Sequence, residues 1–343
     1  MQSSIVRGSV RPALDQRSEA GAAAILTRGL TKRYRNNWTL KVSRGIEDLN
    51  LEVRRGEVMG FLGPNGAGKT TTLKLLVGLH KPTSGEAWVL GEPIDQPSCR
   101  RRLGFLPEQP YFYDYLSGIE YLEFAGQLSG LGAHEATRRA QHWLGRVGLG
   151  ERPSLRLRKY SKGMLQRLGL AAALLHEPEL LILDEPMSGL DPFGRRDVRE
   201  LILEQRERGT TVLFSSHILP DVEMLCDRIA IVMRSELQRI ATVGELVQQG
   251  EQKIEIRCTG KPELEVPPAL ASSLERGVRP HETVFVLTGD SRLPEVLSWL
   301  LANGVDVRAV TPQRASLEEL FMATAERAAD PAFEAEHAER RSA

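Results

Sequence analysis

The spacing of apolar residues changes several times along this chain, and each change marks a different kind of element. Residues 57–62 form a short apolar run that reads as a buried strand. Upstream, strand-like segments begin at Ile25, and 45–53 alternates apolar and polar positions as an antiparallel strand would. Further strands are predicted at 86–91, 103–106, 180–186, 210–217 and 228–233, the last followed by a strand and a helix up to about 249. A helix opens at 71–76. Apolar positions recur every three or four residues at 119–125 and 133–147, 161–175 is almost continuously apolar, and 192–208 is charged and amphipathic, so these four are also predicted helices.

Near Gly250 the character of the chain changes. Residues 253–258 and 283–287 alternate as antiparallel strands, 293–301 is a short helix, 305–310 a strand and 317–325 a final helix. Such a set predicts a small α+β domain over 251–327. Residues 1–24 are polar and Ala-rich without periodicity and are expected to be a disordered tail, with a second, frayed tail at 328–343. Two loops stand out: a basic one at 149–160, and Pro107–Tyr115, with four aromatics in five positions. The aromatic loop is either packed on itself or a surface for a hydrophobic partner.

The strand at 57–62 and the helix at 71–76 enclose Gly63-Pro64-Asn65-Gly66-Ala67-Gly68-Lys69-Thr70, a phosphate-loop pattern in the strand–loop–helix context it requires. Glycines let consecutive N–H groups curl around a polyphosphate, and the helix start adds its positive dipole end and unpaired donors. Lys69 reaches the β- and γ-phosphates, the Thr70 hydroxyl can hold Mg²⁺, and Thr71 completes the phosphate-binding run. Chance gives such a match about once in a hundred chains of this length. The motif therefore favours nucleotide binding without saying which machine uses it.

Asp184 and Glu185 end an aliphatic strand, where the first can orient Mg²⁺ and the second can activate a water for attack on the γ-phosphate. Taken alone they also suit a turn. Tyr34 suits adenine stacking or an ordinary strand edge, and His217 at a strand end suits either catalysis or structure.

Composition narrows the classes. Lys+Arg and Asp+Glu are both 45 and the pI is near 7.1, so no basic footprint points to nucleic acid. Cys99, Cys226 and Cys258 are few and widely spaced, which excludes a disulfide framework or a cysteine metal site and fits a reducing cytosol. No apolar run approaches the ~18 residues of a membrane span, and the first residues lack a signal-peptide core. A role at a membrane is expected to run through a partner.

Together these segments resemble the nucleotide-binding subunit of an ATP-binding cassette (ABC) transporter over roughly residues 25–250. The motifs follow the family's order: Tyr34, the phosphate loop, the loop at Glu108-Gln109, Tyr160-Ser161-Lys162-Gly163-Met164, Leu183-Asp184-Glu185, and Ser188-Gly189-Leu190-Asp191 before His217. The resemblance implies an α/β fold: a P-loop NTPase core with an antiparallel β subdomain and a helical signature subdomain at about 108–176, beside the small C-terminal α+β domain. It implies ATP and Mg²⁺ as ligands, Glu185 as general base, and His217 at the γ-phosphate. Ser161 and Gly163 would address the γ-phosphate of the opposite subunit of a homodimer, and Asp191 would lie at that interface.

Two departures from the family pattern carry consequences. The usual Leu-Ser-Gly-Gly-Gln signature reads Tyr-Ser-Lys-Gly-Met, and the metal-sensing glutamine falls on Glu108 or on the adjacent Gln109. The Ser-Lys-Gly-Met signature, the Pro-Glu loop and the closing Ser316-Leu317-Glu318-Glu319-Leu320-Phe321 resemble the ABC-2 class of exporters. Such subunits pair with separately encoded permeases at the cytoplasmic face of the cell membrane. A soluble ABC ATPase of translation or DNA repair is the rival reading, but it would carry two cassettes or long coiled-coil insertions, which this sequence lacks.

Overall fold

The computed structural model describes residues 21–35, 42–245, 253–259, 264–279, 282–289, 291–313 and 321. Two compact units divide at Ile240, earlier than the change of pattern near Gly250. The first opens with a long strand, β1 (Ala23–Arg35), which starts inside the expected N-terminal tail because Ala23 and Ala24 are buried. Tyr34 lies within β1 and pairs with Ser43.

The predicted strand at 45–53 is broken in two, β2 (Val42–Leu49) and β3 (Glu52–Arg54). Asp48 adopts φ 47°, in the left-handed region where aspartate is among the tolerated residues. Its N–H donates to Thr31 Oγ1, while Asn50 Oδ1 accepts from the Gly29 N–H. These polar pairs hold the corner, so both β2 and β3 pair with β1. With β5 (Ser84–Val89) and β6 (Glu92–Pro93) they make an antiparallel sheet in the order β2-β1-β5-β6.

A second, six-stranded sheet holds β4 (Val58–Leu62), β7 (Leu103–Leu106), β8 (Leu180–Asp184), β9 (Thr211–Ser216), β10 (Arg228–Met233) and β11 (Glu236–Thr242). Its order is β11-β10-β4-β9-β8-β7, and every pair from β10 to β7 is parallel. β4, β8 and β9 are buried along their whole length, which is why they read as continuous apolar runs and not as alternating ones. Helix α1 (Lys69–Leu76) follows β4, and one core joins Leu73 and Leu76 of α1 to Ile25 and Leu30 of β1 and Phe61, Ile182 and Leu213 of the parallel sheet.

Between β7 and β8 lie α2 (Gly118–Leu128), α3 (Ala133–Arg146) and α4 (Lys162–Leu174). A reciprocal capping box between Ser117 and Glu120 starts α2, and Arg156 from the basic loop pairs with the same Glu120 at 2.6 Å. The aromatic loop divides its side chains. Phe112 packs edge-on against Tyr121, whereas Tyr111 is 93% exposed and Tyr113, Tyr115 and Phe124 gather at the surface. After β8 come α5 (Pro192–Glu207) and α6 (Leu219–Leu225).

In the second unit β12 (Lys253–Thr259), β13 (Leu274–Arg279), β14 (Glu282–Thr288) and β15 (Asp306–Gln313) form an antiparallel sheet in the order β13-β14-β12-β15. Helix α7 (Leu293–Ala302) covers one face through Val296 and Leu300, against Ile254, Ile256, Phe285 and Leu287. Edge strand β13 gives no alternating signal and was absent from the sequence reading. The predicted helix at 317–325 and the tail at 328–343 lie outside the described residues, Phe321 excepted. Among the described residues, no helix is long and apolar enough to cross a membrane.

Phe61 is wholly buried at the centre of β4, so Phe61→Ala should lower stability by about 3–5 kcal/mol, read as a lower urea midpoint in far-UV circular dichroism.

Candidate functional site

Parallel pairing brings four strand ends to one edge. Leu62 lies opposite Ser216, Ser215 opposite Asp184, and Leu183 opposite Leu106. The residues that follow β4, β9, β8 and β7 therefore meet at the carboxyl edge of the sheet, the usual place for a ligand crevice in α/β folds. A cleft of about 580 Å³ opens there. Of the predicted site residues, Tyr34, Asn65, Gly66, Gly68, Lys69, Thr70, Thr71, Glu108, Glu185 and His217 line it.

The loop after β4 is held open by its glycines. Gly68 caps α1 at φ 104°, and a Cβ there would lie 2.1 Å from the Gly45 carbonyl oxygen. Gly66, at φ 81°, faces open space. Gly63, Pro64 and Ala67 do not line the cleft; they frame the loop, Ala67 N–H donating to Pro64 O at 3.2 Å. Lys69 is buried, and its Nζ donates to Gly63 O at 2.7 Å and Pro64 O at 3.3 Å. Tyr34 leans over the loop from β1, with its hydroxyl 3.3 Å from Thr71 Oγ1 and its ring edge-on to His80. Burial first, then Lys32 and Lys74, push the His80 pKa below its usual value, so that ring is neutral near pH 7.

Opposite the loop, Asp184 is fully buried, and its Oδ1 accepts from Ser215 Oγ at 2.7 Å. Its Oδ2 is buried with no hydrogen-bond partner. Glu185 takes φ 50°, unfavourable for a residue with a β-carbon, and its N–H donates to the same Ser215 oxygen at 2.9 Å. That turn aims its side chain into the cleft. Oε2 meets His217 Nδ1 at 2.8 Å, and Oε1 lies 3.6 Å from Lys69 Nζ. Lys69, Glu185 and His217 thus form a chain of ionic and hydrogen-bonded contacts across the cleft.

Known proteins agree with this geometry. The profile of the ABC transporter family matches residues 46–188. Over 242 residues the chain is 44% identical to an uncharacterized ABC transporter ATP-binding protein of Synechocystis sp., covering 70% of this chain and 68% of that one. It is also 35% identical over 302 residues to the bacitracin transport ATP-binding protein of Bacillus licheniformis, covering 87% and 96%. This chain belongs to the ABC transporter ATP-binding proteins. A solved dimeric bacterial ABC transporter cassette, 25% identical, matches with a TM-score of 0.59 over 64% of this chain and 98% of that one. The protein is accordingly an ATP-binding, ATP-hydrolysing subunit of a membrane transporter, and the soluble non-transport reading gives way.

Of the remaining family motifs of this cassette, Ser188 lines the cleft, whereas Ser161, Gly163 and Asp191 do not. Ser161 is exposed and caps α4, its Oγ accepting from the Met164 N–H at 3.3 Å. Gly163 packs near Leu190, where a Cβ would meet Leu190 Cδ2 at 3.3 Å. Lys162, which replaces a signature glycine, lays its side chain along Gly189; a Cβ on that glycine would meet Lys162 Cδ at 2.9 Å. Asp191 caps α5 through the Gly194 N–H at 2.7 Å, a local task the sequence reading did not assign it. Glu108 lines the cleft and Gln109 does not.

Two residues that matter here escaped the sequence reading. Ser215 sits one position before the end of β9, and only the β8–β9 register shows that it serves both Asp184 and Glu185. Gln166, buried in α4, reaches the backbone of Glu185 and Pro186. Removing the hydroxyl in Ser215→Ala strips a donor from a buried carboxylate, so ATP turnover should fall about tenfold while the fold persists, as measured by phosphate release beside a circular-dichroism melt.

Proposed function

We propose that two copies of this cassette close head to tail around two ATP molecules, and that closure and hydrolysis drive export through a separately encoded membrane permease. The observation that carries this reading is the division of the site. Lys69, Glu185 and His217 gather in one cleft, while the exposed N-terminus of α4 at Ser161 does not line it. A second copy supplies what one lacks: the first-turn N–H groups and positive dipole end of α4, directed at the terminal phosphate bound by its partner. Relatedness to a bacitracin transport protein supports an export role of the ABC-2 kind.

Within each half, the phosphate-loop residues from Gly63 to Thr71 cradle the polyphosphate, and Tyr34 stands where an adenine can stack on its ring. Mg²⁺ fits the donor set. Asp184 offers a buried carboxylate oxygen without a partner, and the Thr70 hydroxyl faces the cleft. Among the described residues no cluster of three or more His, Cys, Asp or Glu side chains could hold an ion alone, which suits a cation that shares its shell with substrate phosphates. Bound there, the ion would neutralise charge developing on the phosphate oxygens. Glu108, facing the cleft, takes the metal-sensing position in place of the family's glutamine.

Glu185 acts as general base on the attacking water, with His217 fixing its carboxylate at 2.8 Å and completing the contact to the γ-phosphate. The surface aromatics at Tyr111, Tyr113, Tyr115 and Phe124, next to Glu108, form the contact for the permease, which holds the cassette at the cytoplasmic face of the membrane.

Glu185→Gln should bind ATP, elute as a nucleotide-dependent dimer in size-exclusion chromatography, and hydrolyse about 10²–10⁴-fold more slowly. Near-normal turnover would sink the general-base assignment. Lys69→Ala should weaken ATP binding at least about tenfold by fluorescent-nucleotide titration, since a buried cation meant for phosphate is gone; unchanged affinity would count against the phosphate-loop assignment.

A further inference from the structure

Gln166 lies about one turn into α4 and is only 3% exposed. Its Nε2 is 3.2 Å from the Pro186 carbonyl oxygen and 3.4 Å from that of Glu185. Both neighbours are acceptors, so only the amide's NH₂ end satisfies them, and the orientation of the side chain follows. No surface requirement explains a buried polar side chain here. It ties the signature helix to the peptide units that carry the general base.

That peptide is unusual. Glu185 is a non-glycine residue at φ 50°, a conformation that persists only where its surroundings hold it. On its N–H side the holder is Ser215 Oγ at 2.9 Å. On its carbonyl side the holders are the Ser188 N–H at 3.0 Å and the Gln166 amide. Ser215 belongs to the rigid parallel sheet and Ser188 to the same loop as Glu185. Gln166 alone among these partners rides on α4, the helix whose N-terminus at Ser161 addresses ATP bound by the other copy.

From this we infer that Gln166 is a positioning residue that couples the two ATP sites of the closed dimer: occupancy of the partner's site sets α4, and the Gln166 amide carries that setting to Glu185 of its own subunit. The inference rests on the head-to-tail closure proposed above. Each α4 then answers to one ATP at its N-terminus and orients the base for the other through its buried amide. Two such links, one per subunit, make hydrolysis at each site sensitive to the nucleotide at the other, a coupling that must be reciprocal in binding. The path is a single contact inside one subunit, between a helix that receives a phosphate and a loop that attacks one.

The test uses the full chain and two substitutions, Gln166→Met, which keeps length without a donor, and Gln166→Glu, which turns a carboxylate toward the two carbonyls. Steady-state phosphate release against ATP concentration should show the wild type with a Hill coefficient of about 2 and both variants near about 1. Turnover at saturation should drop about tenfold, with half-saturating ATP within about twofold of wild type. ATP titration of each variant combined with Glu185→Gln, together with a thermal melt, checks that binding and fold persist. Wild-type cooperativity and turnover in Gln166→Met would overturn the inference. So would a non-cooperative wild type, or a loss of ATP binding that matches the loss of turnover, since that pattern marks a merely structural role. If Glu185→Gln alone is inactive while Gln166→Met behaves as wild type, only this coupling fails; if Glu185→Gln stays active, the reading of the base itself fails.

Discussion

Three strands that run the same way, β4, β9 and β8, finish within one residue of each other across the sheet, and everything chemical in this protein hangs on that alignment. Parallel pairing fixes which side chain stands opposite which, and a slip of one residue would turn every side chain to the other face. Because β4, β8 and β9 are buried on both faces, that slip would force each side chain into a packing site shaped for its neighbour. The register is thus enforced by the core far more strongly than by the polar groups it delivers. Lys69 is set by the loop that leaves β4, Asp184 and Glu185 by β8, and His217 by β9.

What the alignment delivers is a small set of groups that a folding protein would otherwise avoid. Asp184 is wholly enclosed with one carboxylate oxygen lacking a donor, and Glu185 holds a left-handed backbone beside it. Such features carry a cost of order 1–3 kcal/mol each and persist where the surrounding structure over-determines them. Ser215 relieves part of that cost on both residues with one hydroxyl, donating to the first and accepting from the second. The same arrangement leaves the unpaired oxygen ready for a ligand that brings its own positive charge.

Legibility from the sequence followed how local each determinant is. The phosphate loop, the aliphatic strand before Asp184 and the helix periods are properties of short windows, and they reappear at the expected places. The break at Asp48 and the edge strand β13 depend on pairings between distant segments, and alternation alone could not show them. Ser215 and Gln166 are the sharper case. Each is an ordinary polar residue in an apolar element, and its partners become visible only when β8 is set beside β9 and the turn after β8 against α4. That Glu108 lines the cleft and the adjacent Gln109 does not is likewise a difference of one residue in the loop after β7, which the apolar pattern does not show.

The packing of Lys162 along Gly189 has a consequence for how this sequence can drift over time. The two positions share one volume: the lysine methylenes fill the space that a β-carbon at 189 would need, and φ 72° already penalises any other residue there. The exposed lysine tail can swing aside at little cost, so what holds position 189 is its backbone, and a change there needs a different turn. Position 162 is therefore free to vary by itself, while 189 stays glycine for as long as the turn keeps its shape.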